Sequence, residues 1–280
     1  MCLAFFFLEC AMAVPNIRIG EQTVRMKQTI ERIYSCFLKE KNLPMPTVYE
    51  VTDSTNLRAR NLAEQGAAHG TAVIALTQTA GRGRLARRFE SDIGGLYMSV
   101  VLRHIPLNFA TRLTPYAAVC AARTVESLCN GVTVGVKWVN DLYLEGKKLA
   151  GILTESVLAE DGKGLDYAIV GIGINLTNNL HGDLASIAVS LDRITVPPDI
   201  GTLAARITKA LIDAGREIED GTFLREYSDR CFLLGSRVTV YAEQIYEATA
   251  LSIGDDASLT VMLDSGEKRI LSSGEVSVRI

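Results

Sequence analysis

Residues Val132–Val157 read VTVGVKWVNDLYLEGKKLAGILTESV. Apolar and polar residues alternate on both sides of Glu145-Gly146, the period of a half-buried strand, and the glycine between the two runs suits the turn of a β-hairpin. An antiparallel hairpin in mid-chain, surrounded by helical segments, breaks any βαβ repeat and gives the fold class as α+β.

Upstream, YEVTDSTNLRARNLAEQGAAHG (49–70) reads as a short strand and then a helix capped by Asp53, Ser54 or Thr55 and closed by Gly66. GTAVIALTQTAG (70–81) is a strand running into a loop, GGLYMSVVLR (94–103) another strand, and TRLTPYAAVCAARTVESLCNG (111–131) a helix of small and apolar residues. Downstream, LDYAIVGIGINL (165–176) reads as a buried strand whose glycines keep side chains away from something close by. Residues 201–231 are helical, and after Cys231 the texture changes to short alternating strands, the pattern of a small antiparallel barrel. The expected division is an N-terminal extension over 1–47, a main domain over 48–231 and a small barrel over 232–280.

The extension holds one legible helix, with Ile30, Ile33, Tyr34, Phe37 and Leu38 at helical spacing before Pro44 and Pro46 end it. A helix-turn-helix needs two helices, so DNA binding is not expected. MCLAFFFLECAMAVP (1–15) has the apolar run of a signal peptide, but no basic residue precedes the run, Glu9 interrupts it, and it is shorter than the roughly 20 residues of a membrane span. The amphipathic pattern that begins at Met26 leaves two candidate native starts, Met1 and Met26. Six cysteines without a CxxC pair read as free thiols of a reducing, cytoplasmic compartment, and three histidines far apart in sequence offer no metal site. The net charge of −3 excludes a global attraction to nucleic acid or membrane, so any basic function is local.

The local concentration is TAGRGRLARRF (79–89). Gly81 and Gly83 suit a backbone at positive φ that approaches a ligand closely, and Arg82, Arg84 and Arg87 carry planar donors for phosphate or carboxylate; a solvated arginine-glycine loop is the plain alternative. No G-K-[ST] follows, so this is not a Walker loop. KWVND places Lys137, Asn140 and Asp141 at the end of a strand, where a cation, an amide and a metal-binding carboxylate can meet a phosphate. Read plainly, Trp138 is core and Asn140-Asp141 a turn. Lys147 and Lys148 alternate in direction, so only one faces inward. GIGINL lacks the third glycine of a dinucleotide fingerprint, and Asn175 on a buried strand must find partners or a ligand.

Taken in order, Ser54-Thr55-Asn56, Gln78 with GRGRxxR, KW-x-ND, K-x-x-G at 148–151, GxGIN and a closing SGEVSVR together resemble the biotin protein ligases, over about residues 48–280. The resemblance implies a mixed-sheet catalytic domain of the biotin/lipoate ligase type with an SH3-like C-terminal barrel. It implies a biotin--[acetyl-CoA-carboxylase] ligase that forms biotinyl-5'-AMP from biotin and ATP with Mg²⁺, then transfers biotin to a lysine of a biotin carboxyl carrier protein. By the same resemblance Ser54, Thr55, Asn56 and Gln78 bind the ureido end of biotin, and Arg82, Gly83, Arg84 and Lys148 its carboxylate and the mixed anhydride, with Lys148 and Arg84 catalytic. Gly171 and Gly173 leave room for the ligand. Arg87, Lys137, Asn140, Asp141 and Asn175 serve ATP, and Asp141 organises Mg²⁺. The arginine loop becomes a lid that orders over its ligands. Val139 stands where the family has proline, a change of geometry rather than of chemistry. A homodimer through a sheet edge is compatible with the chain. The rivals are a lipoate or octanoate ligase, whose histidine-bearing glycine signature is absent here, a biotin-responsive repressor, and a nucleic-acid module, disfavoured by acidic charge and a loop without interleaved aromatics.

Overall fold

A computed structural model describes residues 19–272 and 277–279. The apolar stretch 1–15 and part of SGEVSVR lie outside them. In chain order the elements are α1 (Ile19–Lys39), β1 (Thr47–Thr52), α2 (Thr55–Glu64), β2 (Ala72–Gln78), β3 (Gly95–Pro106), α3 (Leu113–Leu128), β4 (Gly135–Lys137), β5 (Asp141–Leu144), β6 (Lys147–Leu158) and β7 (Gly164–Asn175). Then follow α4 (Leu184–Ile187), α5 (Ile200–Ile212), α6 (Gly215–Asp220), α7 (Phe223–Arg230), β8 (Arg237–Tyr241), β9 (Ile245–Ile253), β10 (Leu259–Met262), β11 (Lys268–Leu271) and β12 (Ser277–Arg279). The class is α+β.

The hairpin expected at Glu145-Gly146 is β5–β6, and both turn residues hold positive φ (49° and 75°), the left-handed pair a two-residue hairpin turn needs. It sits in a seven-stranded mixed sheet of order β1-β2-β3-β7-β6-β5-β4. Only β1 and β2 are parallel, joined by α2 as a crossover. One face, carrying Met98, Val100, Ala150, Ile152, Ile172 and Ile174, is buried against α3 and α5. α1 covers α5 through Ile33 and Phe37, and Gly201 lets the two helices touch, since a Cβ there would stand 2.9 Å from the Ile33 Cα. The described part of the helix runs from Ile19, seven residues before the start of the pattern at Met26, with polar Glu21, Thr23 and Arg25 exposed. Among the described residues no helix is long and apolar enough to cross a membrane.

The helical run 201–231 is broken into three pieces, with Gly221 left-handed (φ 68°) after α6. The expected barrel is a five-stranded antiparallel sheet of order β11-β10-β9-β8-β12. Its Val238, Val240, Ala248, Ala250, Leu259 and Val261 belong to the same apolar core as the large sheet. Two polar links reinforce this. The Trp138 indole donates to the carbonyl of Ala257 at 3.0 Å, and Arg112 donates to the carbonyls of Asp255, Ile218 and Glu219.

Candidate active site

The other face of the large sheet forms the floor of a cleft, and register explains its shape. Tyr97 pairs with Gly173, Gly173 with Gly151, and Gly151 with Asp141, so one row of cross-strand neighbours runs from an aromatic ring over two bare glycines to a carboxylate. In the next row Ser99 pairs with Gly171 and Gly171 with Leu153. The glycines are filled from above by the protein itself. A Cβ on Gly173 would stand 2.5 Å from the Phe89 ring, and one on Gly171 would stand 2.0 Å from the Asn56 Oδ1. Part of the room expected for a ligand is therefore room for Phe89 and Asn56, with the Phe89 ring edge-on to Tyr97 at 6.3 Å.

One wall is the start of α2. Ser54, Thr55 and Asn56 are buried. Ser54 occupies the cap position in extended backbone, yet its side chain makes no capping bond. Gln78 takes that role from β2: its Oε1 accepts from the Thr55 N–H at 2.8 Å and lies 3.1 Å from the Thr55 hydroxyl, while its Nε2 donates to Ser91 at 2.8 Å. Ser54 thus holds the expected cap position while the capping bond comes from Gln78; Asp53 accepts from the Ser54 N–H and pairs with Arg58. Burial works to raise the Asp53 pKa, but hydrogen bonds from the Ser54 N–H and Thr52 and the Arg58 charge hold it below the usual aspartate value. Asn56 donates through Nδ2 to Glu155 and to the Leu153 carbonyl, and its Oδ1 accepts from Ser99 at 2.7 Å.

The opposite wall is the β4–β5 turn with β6. Lys148 donates to Asp141 at 2.7 Å, and Gly151 lets the lysine arch back across the strand, its Nζ lying 3.4 Å from where a Cβ would be. Lys147 points away and donates to the Ala185 carbonyl, which settles which lysine faces inward. Asn140 donates to the Ile152 carbonyl and accepts from Arg84 at 3.1 Å. Lys137 lies 5.8 Å from the Tyr143 ring centre. Trp138 is buried, as expected of core, and also lines the cleft.

The roof is the arginine loop. Gly83 N donates to the Arg87 carbonyl and Arg87 N to the Arg84 carbonyl, with Arg82 opposite Arg88, so the loop is a miniature hairpin. Its left-handed residues are Leu85 (φ 54°) and Ala86 (φ 56°), and not Gly81 or Gly83 as expected. The glycines serve close packing instead: a Cβ on Gly81 would stand 2.3 Å from the Phe89 carbonyl oxygen. Arg84 reaches inward; burial lowers its guanidinium pKa, an effect that Asp141 opposes and Arg87 reinforces. Arg82 and Arg87 also line the cleft. Asn175 does not: it is buried at the end of β7 opposite Gly95, and its Oδ1 accepts from Asn178.

Six cations line the cleft (Arg82, Arg84, Arg87, Arg88, Lys137, Lys148) against one carboxylate, Asp141, in a chain whose net charge is −3. Such a concentration of one sign in a cleft attracts anions. Sequence reasoning missed Phe89, Ser99 and Glu155. The last was reachable by alternation, since 151, 153 and 155 fall on one face of a strand.

A mixed sheet with a cation-lined cleft on one face, roofed by an arginine loop and packed against a small antiparallel sheet, defines the class as an α+β protein with a candidate anion site. The model of the biotin/lipoate A/B protein ligase family matches residues 48–175. The chain is 38% identical over 127 residues to the biotin--[acetyl-CoA-carboxylase] ligase of Paracoccus denitrificans, covering 45% of this chain and 52% of that one. It is 32% identical over 221 residues to the bifunctional ligase/repressor BirA of Escherichia coli, covering 75% of this chain and 67% of that one. The solved biotin protein ligase of Aquifex aeolicus in complex with biotin and ATP superposes with a TM-score of 0.68 at 26% identity, over 84% of this chain and 98% of that one. This chain belongs to the biotin/lipoate A/B protein ligase family. It spans about half the length of the curated relatives that it matches at 38–41% identity.

Proposed function

We propose that the cleft joins biotin to AMP at the expense of ATP and passes the biotinyl group to a lysine of a biotin carboxyl carrier protein of a carboxylase. The observation that carries this reading is the excess of cations around Asp141, between a wall of neutral hydrogen-bonding groups and the roof made by the arginine loop. A neutral ureido group suits Ser54, Thr55, Asn56 and Gln78. A carboxylate and a triphosphate, which repel, need the fixed charges of Arg84, Arg87, Lys137 and Lys148.

In the first step a biotin carboxylate oxygen attacks the α-phosphorus and pyrophosphate leaves. Lys148 and Arg84 neutralise the charge on the attacking and bridging oxygens, and Asn140 orients Arg84. In the second step the carrier amine attacks the anhydride carbonyl, AMP leaves, and the amine loses its proton. The roof excludes water from the anhydride between the steps. Asp141 would hold Mg²⁺, a cation bound by one or two carboxylates together with substrate phosphates, and the ion would supply charge neutralisation there. Asn175, which lies off the cleft and accepts from Asn178, takes no part in these steps. The test is incubation with α-labelled ATP, Mg²⁺ and biotin or lipoate. Biotinyl-AMP with pyrophosphate is expected; an adenylate from lipoate alone, or none from either, overturns the reading.

A further inference from the structure

Glu155 lies on β6 two residues beyond Leu153, with its side chain 16% exposed. Its Oε2 accepts from Asn56 Nδ2 at 2.9 Å and Arg82 Nη1 at 3.1 Å. Its Oε1 accepts from Arg60 Nη2 at 2.9 Å and lies 3.1 Å from Arg82 Nη2. An ionised carboxylate offers about four acceptor positions, and here three side chains use all of them. Arg60 Nε, on the same guanidinium, is buried without a hydrogen-bond partner.

We propose that Glu155 is a positioning residue that sets the Asn56 amide and tethers the arginine loop through Arg82. A carboxylate only accepts, so it dictates which end of the Asn56 amide faces it: Nδ2 turns to Glu155 and the Leu153 carbonyl, and Oδ1 to Ser99 above Gly171. The same carboxylate receives the Arg82 guanidinium as a fork, the arrangement that adds direction to charge. Arg82 thereby holds the first arm of the loop to β6 and leaves Arg84 and Arg87 as the arms that reach for anions. One carboxylate thus connects the wall that reads a neutral ligand to the roof that closes over it.

The role of Asn56 rests on the proposed function; the tether does not. Glu155→Gln keeps the size and one acceptor and removes the charge. In ligand-free full-length protein, hydrogen exchange over residues 79–91 should be about tenfold faster in Glu155→Gln and in Arg82→Gln, and the double variant should be no faster than either single, because both cut one link. Unchanged exchange in both singles, or additive effects, overturns the tether. In the adenylation assay Glu155→Gln should raise the KM for biotin about tenfold and that for ATP less than threefold. An equal rise in both, or in neither, overturns the setting of Asn56. Should biotin give no adenylate at all, the proposed function fails while the exchange result still decides the tether.

Discussion

Replacing Lys148 by alanine tests the core of the site. Its ammonium stands 2.7 Å from Asp141, with side chains 31% and 22% exposed, so the pair is neither bare in water nor sealed from it. A unit charge about 4 Å from the developing negative charge, at an effective dielectric constant near 20, is worth about 4 kcal/mol. Partial exposure reduces this, and about 3 kcal/mol corresponds to roughly a hundredfold loss in rate. The deletion has a second effect in the same direction: Asp141 loses its cation and its carboxylate then repels biotin and the triphosphate. Biotinyl-AMP formation, followed through pyrophosphate release, should therefore fall by roughly 10²–10³ in kcat/KM. Lys147→Ala is the internal control, because that side chain turns away to the Ala185 carbonyl, and it should stay within about twofold. A Lys148→Ala enzyme keeping a third or more of wild-type kcat/KM, with its Tm unchanged, would refute the electrostatic account.

Two other perturbations read the frame around the site. Trp138→Phe removes the indole hydrogen bond from the KWVND turn to the Ala257 carbonyl and leaves that carbonyl unpaired, so stability should drop by about 1–3 kcal/mol and the KM for ATP should rise; a thermal melt and an ATP titration both unchanged would dismiss the link. Glu126 and Glu226 converge on Arg230; burial works to raise both pKa values, but Arg230, with the Val134 N–H for Glu126 and Arg123 for Glu226, holds them below the ordinary glutamate value. Folded-state values below the unfolded ones make this stabilisation complete above about pH 4.3 and lost as pH falls through the folded values. Tm should fall between pH 5 and 3, and more shallowly in Glu126→Gln; identical slopes would show that the cluster does not set acid stability.

The hairpin, the glycine strand and the arginine loop were legible because each is a local pattern: alternation, bare positions in a strand, charge beside glycine. What escaped depends on partners far away in the chain. Gln78 caps α2 from 23 residues downstream, a bond no cap rule reads from neighbouring residues. Phe89 reads as the hydrophobic end of a basic loop until register brings Gly151 and Gly173 together beneath it. The left-handed positions of the loop fell on Leu85 and Ala86, since the hairpin places its turn between Arg84 and Arg87 whatever the local propensity. Asn175 obeyed the rule that a buried amide finds a partner, but the partner was Asn178 and the position lay off the cleft.

The bonds from Trp138 and Arg112 to the carbonyls of Ala257 and Asp255 also impose an order on synthesis. The large sheet can pair as soon as β7 leaves the ribosome, whereas the turn bearing Lys137, Asn140 and Asp141 gains its last support only when residues more than a hundred positions later have emerged. A nascent or prematurely terminated chain would hold the wall at Ser54, Thr55 and Asn56 without the finished turn at Lys137 to Asp141. The last side of the cleft is in this way completed only once residues 255–257 have been made.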